Sequence, residues 1–174
     1  MITVAHEALI DLIVDADGHV DPRLGGAGFN VTRAVARLGR PVAYLGRLSG
    51  DRFGQLIRAN LDQHGVKIAV EAPSGAPTTL ALVDLDPAGV PSYHFYLDGT
   101  SAAAVGPADA VLPADTKALQ VGALGLVMEP VGTSTERMAI SAPDGVTVML
   151  DPNIRPRAIA SRQDHLDRLS RITH

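Results

Sequence analysis

Apolar positions along the chain recur with two periods, and the change from one to the other predicts its elements. Residues 1–5 and 9–14 are short apolar runs parted by the polar pair His6-Glu7, and both read as strands. Asp15-Ala16-Asp17-Gly18 is a turn cluster that leads into another extended run, so a hairpin is expected there. Farther on the period becomes helical: Val31, Ala34, Val35 and Leu38 form a stripe, Arg33 and Arg37 lie off it, and Gly39 is placed to end it.

Val42 to Leu48 reads as the next strand and Arg52 to His64 as a helix, with Phe53, Leu56, Ile57, Asn60 and Leu61 on one side and Gly65 just past its end. Thr78 to Asp86 alternates, Pro87-Ala88-Gly89 turns, and Ser92 to Leu97 returns, which predicts a second hairpin. From residue 118 the order is strand (118–122), helix (about 133–142), strand (146–151) and helix (about 162–172). Strands that alternate with helices predict an α/β fold with a parallel sheet. A helix after a strand normally leads back to the same sheet. A chain stopping after such a helix is therefore expected to be the first portion of a longer domain.

Composition narrows the function classes. The chain has 174 residues, 46% hydrophobic and 20% charged, which suits one globular domain with a real core. A net charge of −4 with dispersed Lys and Arg, and only 3% aromatic residues, argues against a nucleic-acid surface. The absence of cysteine excludes disulfides, thiolate catalysis and cysteine metal sites. The six histidines show neither paired spacing nor an adjacent acid cluster, so no metal site is expected. No basic, apolar leader opens the chain, and its most apolar later stretch, 118–128, is too short to span a bilayer. A cytoplasmic protein without a membrane partner is the expectation.

Four places carry candidate chemistry. Gly25-Gly26-Ala27-Gly28-Phe29-Asn30 joins a glycine turn to a helix start. Glycines let the main chain approach a ligand closely, and first-turn N–H groups suit an oxygen-rich or anionic one. A plain strand-to-helix connection is the alternative; a dinucleotide fingerprint lacks its third glycine, Val31 standing there. Asp11 lies inside an apolar run, where a carboxylate needs hydrogen-bond partners or a solvent-facing pleat; its two oxygens can accept from two donors of a ligand. Asn30 can cap the helix or give and take hydrogen bonds with a polyol. Asn153 and Arg155 follow a strand at its carboxyl end, where open α/β sheets place ligands; Arg155 offers a fork of donors or is a surface cation.

Taken in order, these segments resemble the ribokinase/PfkB family of ATP-dependent carbohydrate kinases. His6-Glu7-Ala8-Leu9-Ile10-Asp11-Leu12 is similar to the family's first strand and sugar-contacting Asp, and Gly25 to Gly39 to its glycine signature and Ala-rich helix. Val42 to Gly54 resembles the strand and Gly-Asp-x-x-Gly turn; Pro77 to Asp84 and Asp151-Pro152-Asn153-Ile154-Arg155 match fructokinase-like and keto-deoxygluconate-kinase-like members. The resemblance implies an incomplete ribokinase-like three-layer sandwich with a mainly parallel sheet, residues 1–174 forming one truncated domain with lid strands at about 12–24 and 78–97. It implies sugar contacts from Asp11, Gly25, Gly26 and Asn30, with Tyr96 the lid aromatic nearest the ligand, Glu129 an acid close to it, and Arg155 completing the substrate side.

The family's later Gly-Ala-Gly-Asp and Asn-x-x-Glu motifs do not occur here. The resemblance therefore implies a sugar-recognition portion whose catalytic base lies beyond residue 174, inactive by itself. ATP and Mg²⁺ belong to the whole enzyme and are not expected to bind this chain tightly. Leu97 stands where sugar-acid kinases carry an Arg, so a neutral ketose such as fructose is the favoured small-molecule partner. A homodimer through the lid is a further implication. The alternatives are a non-catalytic sugar-binding or dimerising module and, less favoured, a nucleotide-dependent oxidoreductase.

Overall fold

The computed structural model describes residues 1–85 and 89–173; Asp86, Pro87 and Ala88 of the second expected hairpin, and His174, lie outside the described residues. In chain order the elements are β1 (Ile2–Ala5), β2 (Leu9–Val14), β3 (Val20–Gly25), α1 (Ala27–Arg37), β4 (Val42–Tyr44), α2 (Arg52–Gln63), β5 (Lys67–Ile68), β6 (Leu80–Leu85) and β7 (Pro91–Tyr96). They continue with β8 (Ala118–Gly122), α3 (Val131–Ile140), β9 (Thr147–Asp151) and α4 (Arg162–Thr173). A 3-10 turn, Ala123–Leu126, follows β8 directly.

The first sheet is five-stranded, ordered β5-β4-β1-β8-β9, and all its pairings are parallel. Strand alternation divides the core beneath and above it. Val4 and Tyr44 bury one way, with Phe29 of α1 and Ile57 and Leu61 of α2. Ala5, Leu45, Leu119 and Val121 bury the other way, with Met138 and Ala139 of α3. Two helical layers around one parallel sheet are the three-layer α/β architecture expected from the sequence.

The second sheet is four-stranded, ordered β3-β2-β6-β7: two antiparallel hairpins joined by a parallel β2–β6 pairing. Both expected hairpins thus form, and they form one sheet. Its residues Leu9, Ile10 and Ala81 join the core clusters, and hydrogen bonds hold the start of its second hairpin. Asp51 at the start of α2 accepts from the Thr78 N–H at 2.7 Å and its hydroxyl at 2.6 Å. The buried Thr79 hydroxyl donates to that of Thr100 at 2.7 Å, across the base of the second hairpin. No helix among the described residues is long and apolar enough to cross a membrane.

Three sequence expectations shift. In α1 the buried residues are Gly28, Phe29 and Thr32, whereas Ala34 and Leu38 face solvent. Gly28 lets the helix rest on His6 and Glu7, and that contact turns the 28/32/35 face inward. Strand β4 ends at Tyr44 rather than Leu48, because the chain bends at Gly46, where a side chain would strike the Tyr44 ring. Leu56 of α2 is exposed, not part of its buried side.

Candidate functional site

Strand β1 delivers His6 and Glu7 to the carboxyl edge of the parallel sheet, and both are buried. The Ala27 N–H donates to Glu7 Oε1 at 2.9 Å, the Gly125 N–H to Oε2 at 3.1 Å, and the Phe29 N–H to the Glu7 carbonyl at 3.3 Å. The glycine turn is folded tightly against this segment. A Cβ at Gly26 would lie 2.7 Å from the Glu7 carbonyl oxygen, and one at Gly28 2.9 Å from the same atom. The glycines therefore serve close approach, as their absent Cβ allows, but what approaches here is the chain's own backbone.

Burial pushes the Glu7 carboxyl up to about 7, against the pull of the Ala27 and Gly125 amides and the Arg155 guanidinium. Burial likewise lowers neighbouring His6 to about 4, outweighing Asp151, so its imidazole is neutral.

Above Glu7 lies a cleft of about 210 Å³. Asp11 of β2 lines it, half-buried, its carboxyl raised by burial with no hydrogen bond from the described residues to lower it. Gly25, at the end of β3, leaves the space that the Asp11 carboxylate fills. Gly26, Ala27 and Asn30 form the next wall. Asn30 is not the cap of α1: the helix opens at Ala27 after Gly26, whose carbonyl accepts the Asn30 N–H at 3.0 Å. Its side chain is exposed beside the cleft.

The aromatic wall comes from β7, and the pleat decides which residues supply it. Asp11 pairs with Ala81 and Ala81 with Phe95, so these three lie in one row across the second sheet. Tyr93, two residues away, shares the Phe95 face; the rings stack at 6.0 Å between centroids and both line the cleft. Tyr96 is on the opposite pleat, exposed, beside a separate cleft that includes Arg157. Tyr93 and Phe95 thus line the cleft with Asp11, whereas Tyr96, the aromatic expected nearest a ligand, does not.

Opposite them stand Ala123, just after β8, and Asn153 and Arg155, just after β9. Ala123 and Asn153, at φ 48° and 39°, are the described non-glycine residues with left-handed backbone. Such strain persists only where the surrounding structure enforces it and gathers at functional sites. Asn153 is held by its N–H donating to Asp151 Oδ1 at 3.1 Å. The Arg155 guanidinium is exposed at the rim.

Glu129 lies outside this cleft. It pairs with Arg168 of α4 and accepts from the Thr133 N–H at 3.2 Å, beside a different cavity of about 380 Å³. Asp11, Gly26, Asn30 and Arg155 are brought together, with Gly25 behind Asp11; Tyr96 and Glu129 are not. Glu7 is legible in the sequence only as half of a polar pair, His6-Glu7, at the carboxyl end of the first strand. Among the described residues, one acidic and imidazole group could share a cation: Asp15, Asp17 and His19, exposed at the tip of the first hairpin. It does not line the cleft.

The description "pfkB family carbohydrate kinase" fits the chain over residues 1–174. A fructokinase of Rhizobium leguminosarum bv. trifolii is 33% identical, over 99% of this chain and 54% of its own length. That of Klebsiella pneumoniae is also 33% identical, over 98% and 56%. The apo crystal structure of fructokinase from Vibrio cholerae O395 superposes with a TM-score of 0.83 at 27% identity, covering 99% of this chain and 60% of that one. The chain thus spans about half the length of the curated relatives it matches. With its three-layer fold, second sheet and family match over its whole length, the chain belongs to the pfkB family of carbohydrate kinases.

Proposed function

We propose that residues 1–174 form the sugar-recognition part of an ATP-dependent carbohydrate kinase, with a fructose-like ketose as acceptor. The observation that carries this reading is Asp11: a half-buried carboxylate with no donor among the described residues, in a cleft shared with Asn30, Tyr93 and Phe95. Two carboxylate oxygens can accept from neighbouring sugar hydroxyls, the Asn30 amide can accept and donate, and the ring faces pack against sugar C–H groups. Leu97 packs against the core, so it supplies no clamp for a sugar acid. The names of the relatives support fructose over ribose.

In the whole enzyme ATP supplies the phosphoryl group. This chain's residues bind the sugar, fix the direction of its hydroxyls and, through the second sheet, cover it from water. Alone, the chain is expected to transfer no phosphoryl group, since the resemblance places the base in a later motif. Calorimetry with fructose and ribose tests the reading: fructose binding that Asp11→Ala abolishes supports it, and equal binding by the variant refutes it. ATP turnover by the purified chain would refute the proposed inactivity.

The exposed Tyr96 on the opposite pleat supports a second reading, self-association through the second sheet. Sedimentation of the chain and of Tyr96→Ser decides it, with a dimer that dissociates in the variant as the supporting result.

A further inference from the structure

We propose that Glu7 is a positioning residue of the sugar site, its carboxylate tying the turn that opens α1 to the turn that follows β8 and so fixing the separation of two walls of the cleft. The proposal rests on the sugar-recognition reading and deepens it.

The geometry is that of a two-ended clamp. Oε1 holds the Ala27 amide, which leads into the wall carrying Asn30, and Oε2 holds the Gly125 amide, in the turn that begins at strained Ala123. These two segments are 98 residues apart in sequence and come from opposite sides of β1. Both amides need an acceptor, and only an ionised carboxylate offers one on each oxygen; a protonated carboxyl turns one of them into a donor. A Cβ at Gly125 would lie 3.2 Å from the His6 Cα, so this turn, like the glycine turn, rests directly on the His6-Glu7 backbone. Burial at 3% exposure excludes water as a substitute partner.

The arrangement makes the tie depend on protonation near neutrality. The titratable and charged groups around Glu7 are Arg155 after β9, Asp11 on β2, Tyr93 on β7 and Tyr44 on β4, with adjacent His6 neutral. Tyr44 is held protonated, its hydroxyl raised by burial and by Glu7 itself. Arg155 favours the carboxylate. Neither amide bonds Asp11, so its replacement serves as a control.

The test uses the 174-residue chain and two independent readouts. In the first, the backbone amide shifts of Ala27 and Gly125 are followed by NMR from about pH 5.5 to about pH 8.5, around the ordinary range of a raised carboxyl. Both amides are expected to move together through one step near pH 7, to do so still in Asp11→Asn, and to lose the step in Glu7→Gln. In the second, fructose is titrated calorimetrically. Glu7→Gln is expected to bind about tenfold more weakly at high pH and to show a flattened pH profile, one amide being left without an acceptor. Glu7→Asp, which keeps the charge but reaches one amide only, should fall between.

Amides that titrate independently or not at all overturn the proposal, as does Glu7→Gln binding fructose with the wild-type affinity and pH profile. The wild-type amide titration decides the tie even if Glu7→Gln fails to fold. Two amides moving together in a chain that binds no fructose establish the tie and refute the sugar reading, so the two failures are distinguishable.

Discussion

The α-carbon of Gly25 stands against the carboxylate of Asp11: a Cβ at position 25 would overlap Oδ2 and lie 3.0 Å from Cγ. The resemblance gave Gly25 a sugar contact, but its absent side chain is first of all the room in which Asp11 sits. Gly25→Ala is therefore expected to push the carboxylate off its position, weakening fructose binding and costing about 1–3 kcal/mol of stability. In an Asp11→Ala background the same glycine change should cost about 0.5 kcal/mol or less, because the clash is gone. A double-mutant cycle by urea unfolding measures this, and additive costs would show that Gly25 and Asp11 do not share the space.

Asp51 joins the parallel sheet's helical layer to the second sheet. It caps α2 by accepting from the Gly54 N–H at 2.8 Å and holds Thr78 at the entrance to β6. Partial burial pushes its carboxyl up, but the hydrogen bonds from Thr78 and Gly54 together outweigh it and hold the group at about 2. With the folded value depressed below 3.8, Asp51 stabilises the fold fully above about pH 4 and loses that effect as pH falls through about 2. Asp51→Ala should cost about 1–3 kcal/mol near neutrality, the range of a lost cap plus a buried donor left unpaired. Acid unfolding curves that coincide for wild type and variant would refute this.

Glu129 lies at the contact between α3 and α4, outside the cleft that Asp11 lines. Its carboxylate meets Arg168, whose guanidinium also pairs with Glu136 at 3.1 Å and donates to the Leu126 carbonyl at 2.7 Å, tying α4 to α3 and to the turn after β8. Glu129 is half exposed, so Glu129→Gln should change stability by about 1 kcal/mol or less and leave fructose affinity unchanged. Arg168→Ala removes the donor from Glu129, Glu136 and the Leu126 carbonyl together and should cost about 2–4 kcal/mol. Loss of sugar binding in Glu129→Gln with unchanged stability would restore the role that the resemblance implied.

The difference between Asp11 and Glu129 shows what was legible in the sequence. Asp11 interrupts an apolar strand run, and period-2 alternation places it on one face of a strand whose register a hairpin fixes. Glu129 has no such pattern around it; its partner Arg168 is 39 residues away, a contact that only the packing of α4 creates. The same limit explains Tyr96. Three aromatics within four residues announced an aromatic surface, but one step of the pleat decides which face they share, and the β6–β7 register puts Phe95, not Tyr96, in the Asp11 row. Parallel strands and crossover helices were legible because their periods extend over many residues. The stripe of α1 was not, since Gly28 draws the helix onto His6-Glu7 and no apolar count registers a glycine as buried.

Glu7 should also leave a signature in stability, with a sign opposite to that of Asp51. Burial holds its carboxyl at about 7 against an ordinary 4.5, so the folded chain binds this proton more tightly than the unfolded one. Its contribution is then most favourable below about pH 4.5, declines as pH rises, and levels off above about 7. The whole decline amounts to about 3 kcal/mol, an upper figure because the surroundings relax around a buried charge. Glu7→Gln cannot ionise, so the difference between wild-type and variant stability, from urea melts between about pH 4 and about pH 8, isolates the effect and cancels Asp51 and the other acids. Parallel curves would mean that Glu7 is not raised. A slope of the expected sign would mean that the chain keeps, at neutral pH, a carboxylate that weakens its fold. The bonds that this carboxylate accepts from the Ala27 and Gly125 amides, beneath the cleft, are the compensating gain.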